Sequence, residues 1–188
     1  DLILMAHNLE KAGKNEEALG VYEKAFDLWN GNSDLVKKTA YLHYGLGHYA
    51  RSYFFSKEAL KLNTQDAEAA LYAALSAAKL GKKDEAKLFF QTAISAKPKL
   101  REAFYNYGFY LEKDNDWAGA LYIYKRYEEI FGPSLDVSLA MARVYEGEHR
   151  TSESCKKYRE MSFSGFSMDM ATENMIQNKI QSLCGQGG

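Results

Sequence analysis

Residues 67–98 read AEAALYAALSAAKLGKKDEAKLFFQTAISAKP, and the order of their small and bulky side chains decides the fold. Ala70, Ala73, Ala74 and Ala77 stand at i, i+3, i+4 and i+7, which is one stripe of an amphipathic helix. Beyond Gly81, Ala86, Phe90 and Ala93 form a second stripe at helical spacing. Small residues on both stripes let two backbones approach closely, and Phe90 fills the wedge between them. The stretch therefore predicts an antiparallel helix pair, joined at a glycine that takes positive φ without steric cost and closed by Pro98.

The same pattern recurs with a step of 34 residues. Gly13, Gly47 and Gly81 keep that step, and Asn115 and His149 continue it. Asn and His are among the few other residues enriched at positive φ, so one turn geometry is expected five times. Ala18, Ser52, Ala86, Ala120 and Ser154 form a small column, as do Ala6, Ala40, Ala74, Gly108 and Ala142. Tyr22, Phe90, Tyr124 and Tyr158 form an aromatic column in which Ser56 is the exception. A fixed period of this length is the mark of a repeat architecture.

These units resemble the tetratricopeptide repeat (TPR) family. The best is residues 67–98, ending in the family's customary proline. The fourth, REAFYNYGFYLEKDNDWAGALYIYKRYEEIFGP, carries Phe104, Tyr107, Gly108, Leu111, Ala120 and Tyr124 at the family's packing positions, and the first keeps GKNEEALGVYEKAFDLW. The resemblance covers nearly the whole chain. It implies an all-α fold, a right-handed α-solenoid of antiparallel helix pairs. The units are expected at 1–32, 33–66, 67–100, 101–134 and a divergent 135–168. Residues 169–188 then form a capping helix and a tail, with Gly185, Gly187 and Gly188 expected to fray. Met175, Ile176, Ile180 and Leu183 give that helix one apolar side, while Glu173, Asn174, Gln177, Asn178 and Gln181 keep the other wet, as a solenoid end requires. Tyr127 and Met161 stand where Ala25, Ala59 and Ala93 are small, so those two helix pairs are expected to sit further apart or shift.

Composition narrows the function. A formal net charge of −1 over 188 residues argues against a nucleic-acid partner, which calls for a basic stripe. No apolar run is long enough to span a bilayer, so no direct membrane insertion is expected in this segment. The chain opens at Asp1 rather than Met, which reads as a processed protein or a fragment of a larger one.

In the repeat fold the first helix of each unit turns one side away from its partner. That side is expected to carry Lys37, Tyr41 and Tyr44 in the second unit and Glu68, Leu71 and Leu75 in the third, with Tyr72 beside them. In the fourth it carries Tyr105, Phe109 and Glu112, in the fifth Leu139, Arg143 and Glu146, and in the first Ile3, His7 and Glu10. Tyr41, Tyr44, Leu71, Leu75, Tyr105, Phe109 and Leu139 then make a strip more apolar than a solvated face needs. One reading is that curvature buries it. The other is a concave groove for an apolar or amphipathic segment of a partner protein or peptide, since large apolar patches mark interaction sites and Tyr is a favoured anchor. A homo-oligomer in which the groove receives a neighbour's helix is the runner-up. The basic carboxylate clamp of chaperone-binding TPR proteins is missing, because Ile3, His7, Glu68, Leu71 and Tyr105 stand where it would lie.

No catalytic or cofactor-binding motif is visible. His7, His43, His48 and His149 fall in no metal-ligand spacing. His43 lies on a packing stripe and reads as a satisfied interface residue, and the chain is expected to be non-catalytic. Cys155 near the start of one helix and Cys184 near the end of the next are brought together if the helices run antiparallel. Two readings stand here, a disulfide that pins the capping helix or two ordinary half-buried thiols. The disulfide implies an oxidising compartment, periplasmic or outer-membrane-associated; free thiols imply the cytoplasm. The architecture is similar to TPR proteins that support bacterial pilus, secretion or exopolysaccharide machinery.

Overall fold

The structure, a computed structural model, describes residues 1–185, and among them no strand occurs. Eleven helices follow one another: α1 Leu2–Lys11, α2 Asn15–Leu28, α3 Ser33–Gly45, α4 Tyr49–Leu62, α5 Ala67–Lys79, α6 Lys83–Ser95, α7 Arg101–Lys113, α8 Trp117–Phe131, α9 Leu135–Gly147, α10 Thr151–Phe163 and α11 Met170–Cys184. Gly187 and Gly188, expected to fray, lie outside the described residues. Two compact units divide the chain, Asp1–Ala103 and the residues from Phe104 onward.

The recurring turn is the same piece of chemistry five times. Gly13, Gly47, Gly81, Asn115 and His149 all take positive φ, between 57° and 79°. At each, the next residue's N–H reaches back to a carbonyl five positions earlier: Lys14 to Leu9, His48 to His43, Lys82 to Ala77, Asp116 to Leu111 and Arg150 to Tyr145, all at 2.8–2.9 Å. That bond closes the helix end and satisfies a carbonyl that would otherwise be orphaned. Several helix starts are closed by side chains, whereas α2, α4, α6 and α10 have no side-chain cap. Asn32, Asp66, Asp116, Ser134 and Asp169 accept from the N–H three residues on, at the first turns of α3, α5, α8, α9 and α11.

Both small columns are buried, with Ala18, Ser52, Ala86, Ala120 and Ser154 fully so. The two serines among them are satisfied: Ser52 Oγ lies 2.9 Å from Ser76 Oγ, and Ser154 Oγ donates to the Ala142 carbonyl at 3.2 Å. The aromatic column is buried as well. Ser56 breaks it, and its buried hydroxyl has no hydrogen-bond partner among the described residues. The neighbouring Phe55 supplies the missing ring, stacked on His43 at 5.3 Å and edge-on to Phe26 at 5.1 Å. In α7 and α8, Tyr124 lies directly against Gly108. Tyr127 and Met161, at the positions that are alanine in the first three units, are both buried.

In the second unit, α11 lays Ile176, Ile180 and Leu183 against Ala142, Tyr158 and Met161. Its other side, Glu173, Asn174, Gln177, Asn178 and Gln181, faces solvent.

Candidate functional site

In the first unit the face of α3 and α5 is a cluster of rings. Tyr41 and Tyr72 meet edge-on at 5.5 Å, and Tyr72 meets Tyr44 at 5.7 Å. Tyr44 in turn meets Tyr49, at the start of α4, at 5.4 Å. Tyr41 is 47% exposed, while Tyr44, Tyr49, Tyr72 and Leu75 are half-buried. Lys38 sits over the Tyr41 ring at 5.4 Å and pairs with Glu10 at 2.6 Å. Lys79, exposed at the end of α5, sits over the Tyr49 ring at 5.7 Å. Beside the rings a cleft of about 330 Å³ is lined by Asp34, Lys37, Lys38, Tyr41, Glu68 and Tyr72. Lys37 holds its polar rim together, pairing with Asp66 at 3.1 Å, Glu68 at 3.3 Å and Asp34 at 3.5 Å. Burial pushes the Tyr72 hydroxyl up to about 12, helped by Tyr41 and Glu68, and also raises Tyr44. Both are therefore neutral donors at physiological pH.

Leu71 is a correction. It was expected on the open strip, yet it is 5% exposed and belongs to the core side of α5. At 100° per residue Leu71 falls between Ala74 and Leu75, on the border of the buried stripe, and in the fold it lies on the buried side while Tyr72 and Leu75 stay half-buried.

The second unit's face is organised differently. Phe109 is 38% exposed beneath Lys113, which lies 5.1 Å from the ring centroid. Tyr105 leans on Tyr124 at 6.2 Å, and Leu139 packs on the cluster of Ala142, Tyr158 and Met161. Arg143 is held by Glu112 through two parallel bonds of 2.9 Å, Nε to Oε1 and Nη2 to Oε2. Glu112, expected to face outward, is 8% exposed, a second correction. Tyr124 donates to it from below at 3.3 Å, and this pairing is what draws the carboxylate inward. Glu112 thus holds Arg143 well above the ordinary guanidinium range.

This arrangement recurs. Tyr22 donates to Glu10, Tyr124 to Glu112 and Tyr158 to Glu146, each across twelve residues. Each glutamate also holds a cation from a later helix: Lys38, Arg143 and Lys179 respectively. The sequence reading missed these trios, although their signal was in the repeat. The positions of Glu10, Glu112 and Glu146 are Tyr44 and Ala78 in the other two units, where the aromatic column reads Ser56 and Phe90. Where the tyrosine is absent, the carboxylate is absent too. Tyr49 was missed because it opens a second helix, where the open face was not sought.

His43 is held at 3.0 Å from Glu23 and 3.4 Å from His48, and burial lowers its pKa. Among the described residues no three His, Cys, Asp or Glu side chains are placed to hold a metal ion. Nor is any helix long and apolar enough to cross a membrane. Cys155 and Cys184 form a disulfide between α10 and α11, with Cα atoms 5.4 Å apart.

No family model matches the sequence. No curated protein matches it either. Solved structures do match the fold. A crystal structure of MamA protein aligns with a TM-score of 0.78 at 17% identity, over 90% of this chain and 95% of that one. A tetratricopeptide repeat protein from Parabacteroides merdae aligns at 0.78 and 16% identity, over 97% of this chain and 70% of that one. The chain has the TPR fold. YrrB, described as a TPR protein with an unusual peptide-binding site, aligns at 0.64 and 16% identity, over 99% of this chain and 86% of that one. The ring cluster lies on α3 and α5 with Tyr49 at the start of α4, and the three carboxylates Glu10, Glu112 and Glu146 lie on α1, α7 and α9.

Proposed function

We propose that this TPR protein is a non-catalytic interaction scaffold that holds a segment of a partner protein bearing apolar side chains. The observation that carries this is the ring cluster on α3 and α5, where Tyr41 is 47% exposed among three half-buried tyrosines and a half-buried leucine. Rings left open on a helix pair that otherwise buries its apolar residues call for a partner. Tyrosine suits that role because it brings a large rigid surface at low entropic cost. In the second unit Phe109, Tyr105 and Leu139 offer further apolar contact, while Arg143 is already engaged by Glu112. The Cys155–Cys184 pair supports an oxidising compartment such as a bacterial periplasm, and there the scaffold would serve assembly of an envelope machine.

The test is affinity capture from the source organism with quantitative mass spectrometry, comparing the parent protein with Tyr41→Ala/Tyr72→Ala and with Tyr105→Ala/Phe109→Ala. The first variant is expected to lose a partner while its unfolding midpoint stays within the range of a surface change. If both variants keep every captured protein, the scaffold reading fails.

A further inference from the structure

Asn30 is the one asparagine of this chain that a glycine follows. The two residues fill the centre of the loop between α2 and α3, and both are exposed. The loop is a four-residue turn, in which the Asn32 N–H donates to the Trp29 carbonyl at 3.2 Å. That bond leaves the Gly31 N–H in the turn without a partner among the described residues, and the Asn30 side chain has none there either. Open space surrounds Gly31, since nothing lies within 4 Å of where a Cβ would stand. The other asparagines are placed differently. Asn32 and Asn63 use their side-chain oxygens to accept from the N–H groups of Leu35 and Gln65. Asn8, Asn15, Asn106, Asn174 and Asn178 lie in helices, where the backbone fixes the next nitrogen. Asn115 is held at positive φ and is followed by Asp116, which opens the next turn.

We propose that Asn30 is a site of spontaneous covalent modification, at which the chain cyclises to a succinimide and opens to aspartate and isoaspartate. The Gly31 nitrogen gives its proton to water or hydroxide and bonds to the side-chain carbonyl carbon of Asn30. The bond from that carbon to Nδ2 breaks, and ammonia leaves with a proton taken from water. Water then adds to one of the two ring carbonyls. Opening at the side-chain carbonyl gives aspartate. Opening at the backbone carbonyl gives isoaspartate, whose main chain runs through the former side chain. One water is consumed, one ammonia is released, and nothing is oxidised or reduced. The turn favours the step because glycine brings no Cβ to crowd its nitrogen and is free to adopt the φ that ring closure needs. Its N–H also has no internal hydrogen bond to give up. Either product places a new negative charge just ahead of α3. The isoaspartyl form also adds one main-chain carbon between Trp29 and Asn32, so the bond that closes the turn no longer spans the same ring. Asn32 caps α3, and Leu19 and Tyr22 of α2 share a core cluster with Leu35 and Leu42 of α3. The modification therefore acts at the joint between the first two repeats, and it is independent of the scaffold reading.

The native protein is incubated in warm, mildly alkaline buffer beside a synthetic peptide of residues 24–37, and both are followed by peptide-mapping mass spectrometry. The protein is expected to gain about 1 Da at Asn30 on the timescale of the peptide, as an amide becomes an acid. Its product is expected to accept a labelled methyl group from S-adenosylmethionine in the presence of an isoaspartate methyltransferase. Gly31→Ala is expected to slow the conversion about tenfold by crowding the nitrogen. Its thermal midpoint should not move, because the added Cβ meets nothing and the φ at Gly31 lies outside the left-handed region. Asn30→Gln leaves Gly31 untouched and lengthens the side chain by one methylene, which forbids the five-membered ring, so no mass gain is expected there. A native protein that keeps the Asn30 amide while the peptide is converted overturns the inference. Conversion that starts at another asparagine overturns it too, as does a Gly31→Ala protein that converts as fast as the parent. A mass gain at position 30 that persists in the Gln variant would also sink it.

Discussion

At Gly108 one hydrogen atom separates α7 from the ring of Tyr124. A Cβ added there would lie 2.4 Å from Tyr124 Cε1, well inside contact distance. The ring has little room to retreat, since it is fully buried and its hydroxyl is tied to Glu112. Gly108→Ala is therefore expected to destabilise by about 1–3 kcal/mol through overpacking, despite alanine's better helix propensity. Gly20 makes the opposite case. It lies inside α2 with nothing within 4 Å of an added Cβ, so Gly20→Ala is expected to stabilise by roughly 0.5–1 kcal/mol. Urea unfolding of the two variants should give shifts of opposite sign. A shared sign would mean that Tyr124 yields and the contact is not tight.

At the scale of helices, what was legible in the sequence depends on whether a residue's role is local. The turns were readable because positive φ is a property of one residue, and Asn115 and His149 follow the glycines into that conformation. The small columns were readable because helical spacing alone places them on the buried side. Leu71 and Glu112 were misplaced because both lie at the border between faces, where the neighbouring element decides. For Glu112 that element supplies Tyr124 on one side and Arg143 on the other. The disulfide was left open because sequence fixes helix direction more readily than the distance between two helix ends. The carboxylate trio offers its own test. Glu112→Gln removes the charge that holds Arg143, whose side chain is 44% exposed. Water then screens part of the loss, so the cost is expected to be about 1–3 kcal/mol, below that of a fully buried pair. Adding Arg143→Met is expected to recover part of it, since no cation is then left unpaired. A double-mutant cycle in urea with no coupling between the two sites would show that the pair does not act as a unit.

For each compact unit by itself, the order of its helix contacts matters more than any single contact. The helix contacts run between elements adjacent or nearly adjacent in order, such as α3 with α4 and α5, or α10 with α9 and α11. Stability in such a chain is a sum of local terms, and damage stays where it is made. The Cys155–Cys184 bond closes a loop of 29 residues around the α10–α11 hairpin. In the chain-entropy picture that contributes on the order of 3–4 kcal/mol. Noncovalent contacts also hold α11, through buried Ile176, the Lys179–Glu146 pair and Gln177 on Ser162 at 3.1 Å. Reduction should therefore loosen α11 rather than unfold the protein. Hydrogen exchange in a reducing buffer is expected to accelerate the amides of α11 by roughly a hundredfold, with the amides of α1–α6 unchanged. Cys155→Ser/Cys184→Ser should reproduce that pattern without reductant. Uniform acceleration along the chain would mean that the helix pairs are cooperatively linked, and an unchanged α11 would mean that its packing holds it without the bond. The expected result ties exposure of Leu139 and Tyr158, which α11 covers in the second unit, to the redox state of the surroundings.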